Sequence, residues 1–300
     1  MSTVLTSATT TTHTSRVLGA GGVTVVDGIA YRDIDAVPIA WRQVGRHTTT
    51  EYPVLFLHGL GGSRISWDPQ LAAVGPWRYA VAWDLPGYGR SAPIEGGRAP
   101  MTFDRLADAA SLFIQSLGVH AAHVVGISFG GMIAQYLATR HPERVRSLTL
   151  LATSPAFGLD GTRPDEWRAT RLAPLDAGRA PADFAESVLR SLAGPAITAE
   201  AFEQQCAAMR RVPAAALRRA IDCVITHDSR AVLPTVAVPT QCLVGSLDAE
   251  TPPAYSQAIV DLVPGAQLVV VDGTGHLLNA EAPDAVNQAI IRHIEHAELR

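Results

Sequence analysis

His123-Val124-Val125-Gly126-Ile127-Ser128-Phe129-Gly130-Gly131 decides the fold. The stretch ends an apolar run, contains a G-x-S-x-G pattern, and opens an amphipathic segment, Phe129–Arg140, that is closed by His141-Pro142. A strand that turns sharply into a helix around a serine needs small neighbours, so Gly126 and Gly130 read as the residues that let adjacent segments approach. Such a turn lifts the Ser128 hydroxyl out of the sheet and sets it above the positive end of the following helix. A glycine-rich turn with an incidental serine has the same five residues, and the rest of the chain must arbitrate.

Outward from this point, short apolar runs alternate with helical patterns. Val54-Leu55-Phe56-Leu57 is unbroken and runs into His58-Gly59, and similar runs lie at residues 79–83, 123–126, 148–151, 241–244 and Gln267–Val271. Unbroken runs of this length suit strands buried on both faces, which means a parallel sheet with helices on each side. Residues 103–117 place Leu106, Ala110, Phe113, Ile114 and Leu117 on one helical face, Pro253–Leu262 follows one strand, and 284–296 is the last helix. The alternation predicts an α/β fold with a doubly wound, mostly parallel sheet. Ahead of it, 22–26, 30–34 and 38–44 read as strands, the first two joined at Asp27-Gly28. Residues 1–20 read as a mobile, Ser/Thr-rich tail.

Between about Pro155 and Thr235 the buried-strand runs stop. Four amphipathic stretches separated by Pro and Gly replace them, at 164–171, 182–192, Ala199–Met209 and Ala214–Val224. This is too much helix for a simple crossover. It predicts an α-helical cap, 155–235, inserted between core strands, with a core of 21–154 and 236–300. Ligands of open α/β sheets bind at the carboxyl ends of the strands, so the cap is expected to roof the site.

A serine hydroxyl needs an adjacent base that is itself oriented by an acid. Asp248 lies just past the run at 241–244, and His276 just past Gln267–Val271. Both therefore reach the edge of the sheet that carries Ser128, in the order Ser, Asp, His. Asp248 also suits a cap ahead of Thr251-Pro252-Pro253, and His276 a polar loop. Among rival bases, His58 fits its Gly-rich loop better, His123 sits at the wrong strand end, and His13, His293 and His296 lie in the tail or last helix. Among rival acids, Asp272 is too close to His276, and Asp84-Leu85-Pro86-Gly87-Tyr88-Gly89 reads as a structural turn. An oxyanion formed at Ser128 needs fixed N–H donors. Phe129 offers one, and the loop His58-Gly59-Leu60-Gly61-Gly62 offers the second, from Leu60.

Composition narrows the chemistry. Of 300 residues, 24 are basic and 28 acidic, for a net charge of -4, and every basic residue is Arg. The absence of Lys excludes a Schiff-base lysine and a P-loop. The negative charge gives no basic footprint for nucleic acid. No apolar run is long enough to span a membrane, and the start of the chain lacks the apolar core of a secretory signal. Cys206, Cys223 and Cys242 are scattered and odd in number, and read as buried thiols rather than a metal or disulfide set. A reducing cytoplasm is the expected compartment, no cofactor or metal is called for, and a homo-oligomer stays open.

Taken together, His58-Gly59-Leu60-Gly61-Gly62, Asp84 through Ser91, Gly126 through Gly131, Asp248 and Gly275-His276 resemble the α/β-hydrolase superfamily. The resemblance covers nearly the whole chain apart from the tail and cap. Serine rather than aspartate at 128 places it in the serine branch, away from haloalkane dehalogenases and epoxide hydrolases. Trp67-Asp68-Pro69-Gln70, Thr251-Pro252-Pro253 and the run from His276 to Pro283 are similar to 3-oxoadipate enol-lactonases, although the full His58-Gly59 loop departs from them. The resemblance implies hydrolysis of a small carboxylic ester or lactone through an acyl-enzyme on Ser128. Carbon–carbon bond hydrolysis of a ring-cleavage product is the alternative, as is a non-catalytic small-molecule receptor on the same fold. In the cap, Trp167 and Arg171 are spaced i, i+4. Either they face the site, where Arg171 offers a fork to a substrate carboxylate, or Trp167 packs the cap onto the core and Arg171 points to solvent.

Overall fold

The structure, a computed structural model, describes residues 17–18, 24–26, 29–34, 37–48 and 50–299. Among the described residues, ten strands form one sheet in the order β1-β2-β3-β4-β6-β5-β7-β8-β9-β10. In chain order these are β1 (Val17–Leu18), β2 (Thr24–Val26), β3 (Ile29–Ile34), β4 (Val37–Val44), β5 (Val54–Leu57), β6 (Ala80–Trp83), β7 (Ala122–Ile127), β8 (Val145–Leu151), β9 (Thr240–Gly245) and β10 (Gln267–Val271). The strands from β6 through β10 along the sheet pair parallel, and β1 to β4 join as antiparallel neighbours. Of the stretch read as a tail, Val17–Leu18 pairs with Thr24 and Val25 and so belongs to the sheet. The remainder of it, and the turn at Asp27-Gly28, lie outside the described residues, although Val26 and Ile29 stand opposite each other as a two-residue turn requires.

Every residue of β5, β6, β7 and β9 is buried, which is why these runs carry no polar alternation. Their side chains still alternate between two cores. Leu55, Leu57, Val81, Trp83, Val124, Leu148 and Leu150 face one side. There they meet α2 (Phe103–Ser116) and α3 (Phe129–Arg140) through Leu106, Phe113, Ile133 and Leu137. Val54, Phe56, Ala80, Ala82, Val125 and Ile127 face the other side, against α1 (Asp68–Val74) and α10 (Pro283–Glu298). Phe113 anchors α2 with its ring 5.4 Å from Trp41 and 5.9 Å from Trp83.

Two strands differ from their sequence reading. β10 pairs only with β9 and is a partly exposed edge, with Val270 48% exposed, so its apolar run does not mark burial on both faces. β8 begins three residues early, at Val145. Ser147 hides its polarity by hydrogen bonding His123 Nδ1 at 2.8 Å, and Arg146 donates to the Ala297 carbonyl.

Between β8 and β9 the chain forms α4 (Pro164–Asp176), α5 (Pro181–Leu192), α6 (Ala199–Met209) and α7 (Ala214–Val224). Leu172, Phe184, Leu189, Phe202, Met209, Leu217 and Ile221 bury their side chains in the same core as α2 and α3. α4 continues beyond its sequence reading, through Pro174, which forfeits the bond to the Thr170 carbonyl, and the helix ends two residues later at Asp176. Beyond β9 follow α8 (Pro253–Leu262) and, after β10, the short α9 (Leu278–Glu281).

Candidate active site

Ser128 holds φ 52° and ψ −118° between β7 and α3, a region that L side chains rarely occupy. Hydrogen bonds fix the turn: Ser128 N–H donates to Leu151 O at 2.8 Å, and the Ser128 carbonyl accepts from Met132 N–H and Thr153 Oγ1. A Cβ on Gly126 would run into the Gly130 backbone, and one on Gly130 into the carbonyls of Leu57 and His58. The two glycines thus allow β5, β7 and the start of α3 to meet backbone to backbone. That contact brings the 58–62 loop beside the serine, where a Cβ on Gly59 would lie 3.4 Å from Ser128 Cβ.

The loop has a fixed geometry of its own. Gly59 O accepts from Gly62 N–H at 3.0 Å and from His58 Nδ1 at 2.9 Å. His58 Nε2 in turn accepts from Leu85 N–H at 3.0 Å. One ring nitrogen donates and the other accepts, so His58 is neutral with its proton on Nδ1. Burial pushes its pKa down, against a smaller upward pull from the Gly59 hydrogen bond and Asp84. Asp84 is itself fully buried, accepts from the backbone N–H groups of Arg64 and Arg90, and pairs with the Arg64 guanidinium. Its reading as part of a structural turn fits these contacts. His123, at the opposite strand end, is held by Ser147 and Glu298, and burial with nearby Arg78 and Arg146 lowers it to about 3.

His276 Nδ1 lies 2.9 Å from Asp248 Oδ2 and 3.1 Å from Oδ1. Asp248 also accepts from the N–H groups of Glu250 and Thr251 and from Thr251 Oγ1, each at 2.9 Å. These bonds brace the turn at 248–251 rather than cap α8, whose N-cap is Pro252 with no side-chain bond, and the same carboxylate carries the contact with His276. Burial opposes charge on both partners. The His276 charge and hydrogen bond, with the Thr251 bonds, nevertheless hold Asp248 below its usual range, and the Asp248 charge and hydrogen bond, helped by Glu250, lift His276 above its own. Asp272 instead accepts from Ser246 Oγ and faces solvent.

Ser128, His276, Leu60, Phe129, Trp167 and Arg171 all line one cavity of about 190 Å³ at the carboxyl edge of the sheet, beneath α4 to α7. Asp248 stands behind His276. No hydrogen bond joins Ser128 to His276 among the described residues; such contacts often tighten only when substrate is present. The sequence reading missed three contributors. Thr251 braces Asp248 and comes within 3.3 Å of His276 Nδ1. Glu250 holds Arg171, whose Nη2 lies 2.7 and 2.8 Å from its two oxygens. Glu281 accepts from the N–H groups of Gly275, Leu277 and Gly194, so it clamps the His276 loop to the segment after α5. Acids close to a candidate histidine or aspartate were the available signal for two of them.

A serine on a strained strand–helix turn, facing a histidine–aspartate pair under an inserted helical layer, defines a class of α/β enzyme folds. The chain belongs to the alpha/beta hydrolase family, whose model matches residues 54–289. It is 32% identical over 240 residues to a pimeloyl-[acyl-carrier protein] methyl ester esterase of Neisseria meningitidis, covering 76% of this chain and 73% of that protein. Among solved structures, a hydrolase from Pseudomonas aeruginosa has a TM-score of 0.78 at 25% identity, covering 89% of this chain and 98% of the other. The enol-lactonase from Burkholderia xenovorans superposes with a TM-score of 0.77 at 21% identity, covering 88% and 99%, a likeness of fold.

Proposed function

We propose that the protein is a serine hydrolase that cleaves a small carboxylic ester or lactone through an acyl-enzyme on Ser128. The observation that carries this reading is the strained Ser128 turn sharing one cavity with a His276 that is held by Asp248. His276 Nε2 removes the Ser128 proton as Oγ attacks the carbonyl carbon. Asp248 keeps the other ring proton on Nδ1 and stabilises the imidazolium. The N–H groups of Leu60 and Phe129 receive the developing oxyanion. The Phe129 donor belongs to the first turn of α3, whose N–H groups have no partner within the helix. His276 then protonates the departing alcohol and later activates water, which releases the acid. The helices from 155 to 235 act as a cap that shields this chemistry from bulk water. The sequence similarity to a methyl ester esterase supports the ester as substrate.

Turnover of p-nitrophenyl butyrate by wild type and Ser128→Ala tests the reading. The variant is expected to fold normally and lose activity by about 10⁴-fold or more. Turnover above a few per cent of wild type would exclude Ser128 as nucleophile. A folded wild type that binds but never turns over esters would favour the receptor alternative.

A further inference from the structure

Among the described residues, Arg171 is the only cation in the cavity wall other than whatever charge His276 acquires, and the wall's other charged residues are Asp160 and Glu250. The Arg171 guanidinium lies 5.2 Å from the centre of the Trp167 ring, and its Nη2 is held by both Glu250 oxygens. Asp160 keeps its charge through hydrogen bonds with Thr162. The three charged side chains belong to the more exposed part of the wall: Asp160 is exposed, and Arg171 and Glu250 are 29% and 31% accessible. The buried part is Phe129, Met132, Met209, Leu217 and Ile221, all below 8% exposed. Two of its polar side chains already donate to backbone. Gln205 and Asn279 both donate to the Ser66 carbonyl.

Resting on the serine-hydrolase reading, we infer that the substrate is an uncharged ester with a hydrocarbon acyl chain, and that the cavity rejects a substrate bearing a carboxylate. A carboxylate in the buried chamber would lose its hydration among apolar side chains and find no cation. At the outer wall it would meet two carboxylates and one guanidinium. Recruiting Arg171 would bring a further carboxylate to a guanidinium that Glu250 already neutralises through Nη2, with three anions then sharing a single cation. On this inference Arg171 is a tie between α4 and the Asp248 loop rather than the carboxylate receptor that was one of the two readings of its spacing from Trp167.

The test compares p-nitrophenyl hexanoate with mono-p-nitrophenyl adipate and its methyl-capped diester. These share one leaving group and a similar chain but differ in terminal charge. Expected is a kcat/KM at least about 100-fold higher for hexanoate than for adipate, with the methyl cap recovering most of the loss. Glu250→Gln removes an anion and releases Arg171, so it should narrow the hexanoate-to-adipate ratio about 3- to 10-fold. Adipate cleaved as fast as hexanoate, or a ratio unmoved by Glu250→Gln, would overturn the inference. Ser128→Ala run beside these keeps the two claims apart. If turnover survives in that variant, the serine reading fails. Calorimetric binding of methyl hexanoate and monomethyl adipate to the same protein then decides the charge preference alone: tighter binding of the neutral ester sustains it, and equal or tighter binding of the monoacid ends it.

Discussion

Ser128 sits in a backbone conformation that costs of the order of 1–3 kcal/mol and persists only because its neighbours enforce it. The pentapeptide around it was readable in the sequence because its steric demand falls on two glycines, and those glycines do meet other backbone. His276 and Asp248 were readable because each directly follows a strand. His58 was readable as part of its Gly-rich loop rather than as a base, but its hydrogen bond to Gly59 O was not. Gly59 C=O and Leu60 N–H belong to one planar peptide and point in opposite directions. By holding Gly59 O, His58 and Gly62 set the direction of the Leu60 N–H. His58→Ala should then lower kcat about tenfold or more with little change in KM, and weaken binding of a transition-state analogue in parallel. His58→Asn, whose amide can occupy the Nδ1 position, should recover part of the loss. An equal rise in KM with unchanged kcat would contradict this. The pH profile belongs to His276. The base must be neutral to act, and its pKa is raised by Asp248 against burial, so kcat/KM should rise with pH through an inflection above about 6.5. Burial pushes His58 down, His123 to about 3 and His227 to about 4, so these buried rings cannot supply that limb. An inflection well below 6.5 would count against His276.

Among the elements, long periodic segments were readable almost to the residue. α3, α6, α7 and α8 begin and end where apolar spacing and flanking Pro or His place them. The short α1 and α9 were missed, since one or two turns carry too little periodicity to separate from a loop. β10 misled because a parallel edge strand can be as apolar as a central one while both of its faces are only partly covered. α9 matters beyond its length, because it ends on Glu281. Removing that carboxylate would leave three partly or fully buried N–H groups without their acceptor, at about 1–3 kcal/mol for an unsatisfied group. Glu281→Ala should therefore lower Tm by several degrees and reduce kcat, because the His276 loop loses its anchor. Unfolding followed by calorimetry, together with butyrate turnover, checks both effects. A drop in Tm with undiminished kcat would show that the clamp supports the fold without positioning His276.

At the scale of the molecule, the parallel strands bring Ser128, Asp248 and His276 to one edge from three separate strand ends. The helices between β8 and β9 close an apolar chamber over them. Alternation of strand and helix made this architecture readable, as did the interruption at 155–235. The side-chain lining was not, because amphipathic spacing gives a helix one apolar face without saying whether it meets a core or a cavity. Arg171 shows the limit: its spacing from Trp167 was evident, while its partner Glu250 lies 79 positions away. The proposed mechanism requires a covalent acyl group at Ser128. Rapid acid quench of the enzyme with p-nitrophenyl hexanoate, followed by intact-mass and peptide mass spectrometry, measures this directly. A hexanoyl adduct is expected on the peptide that contains Ser128, formed with the first burst of p-nitrophenol and absent in Ser128→Ala. Steady turnover with an adduct on another residue, or a burst that survives in Ser128→Ala, would contradict it.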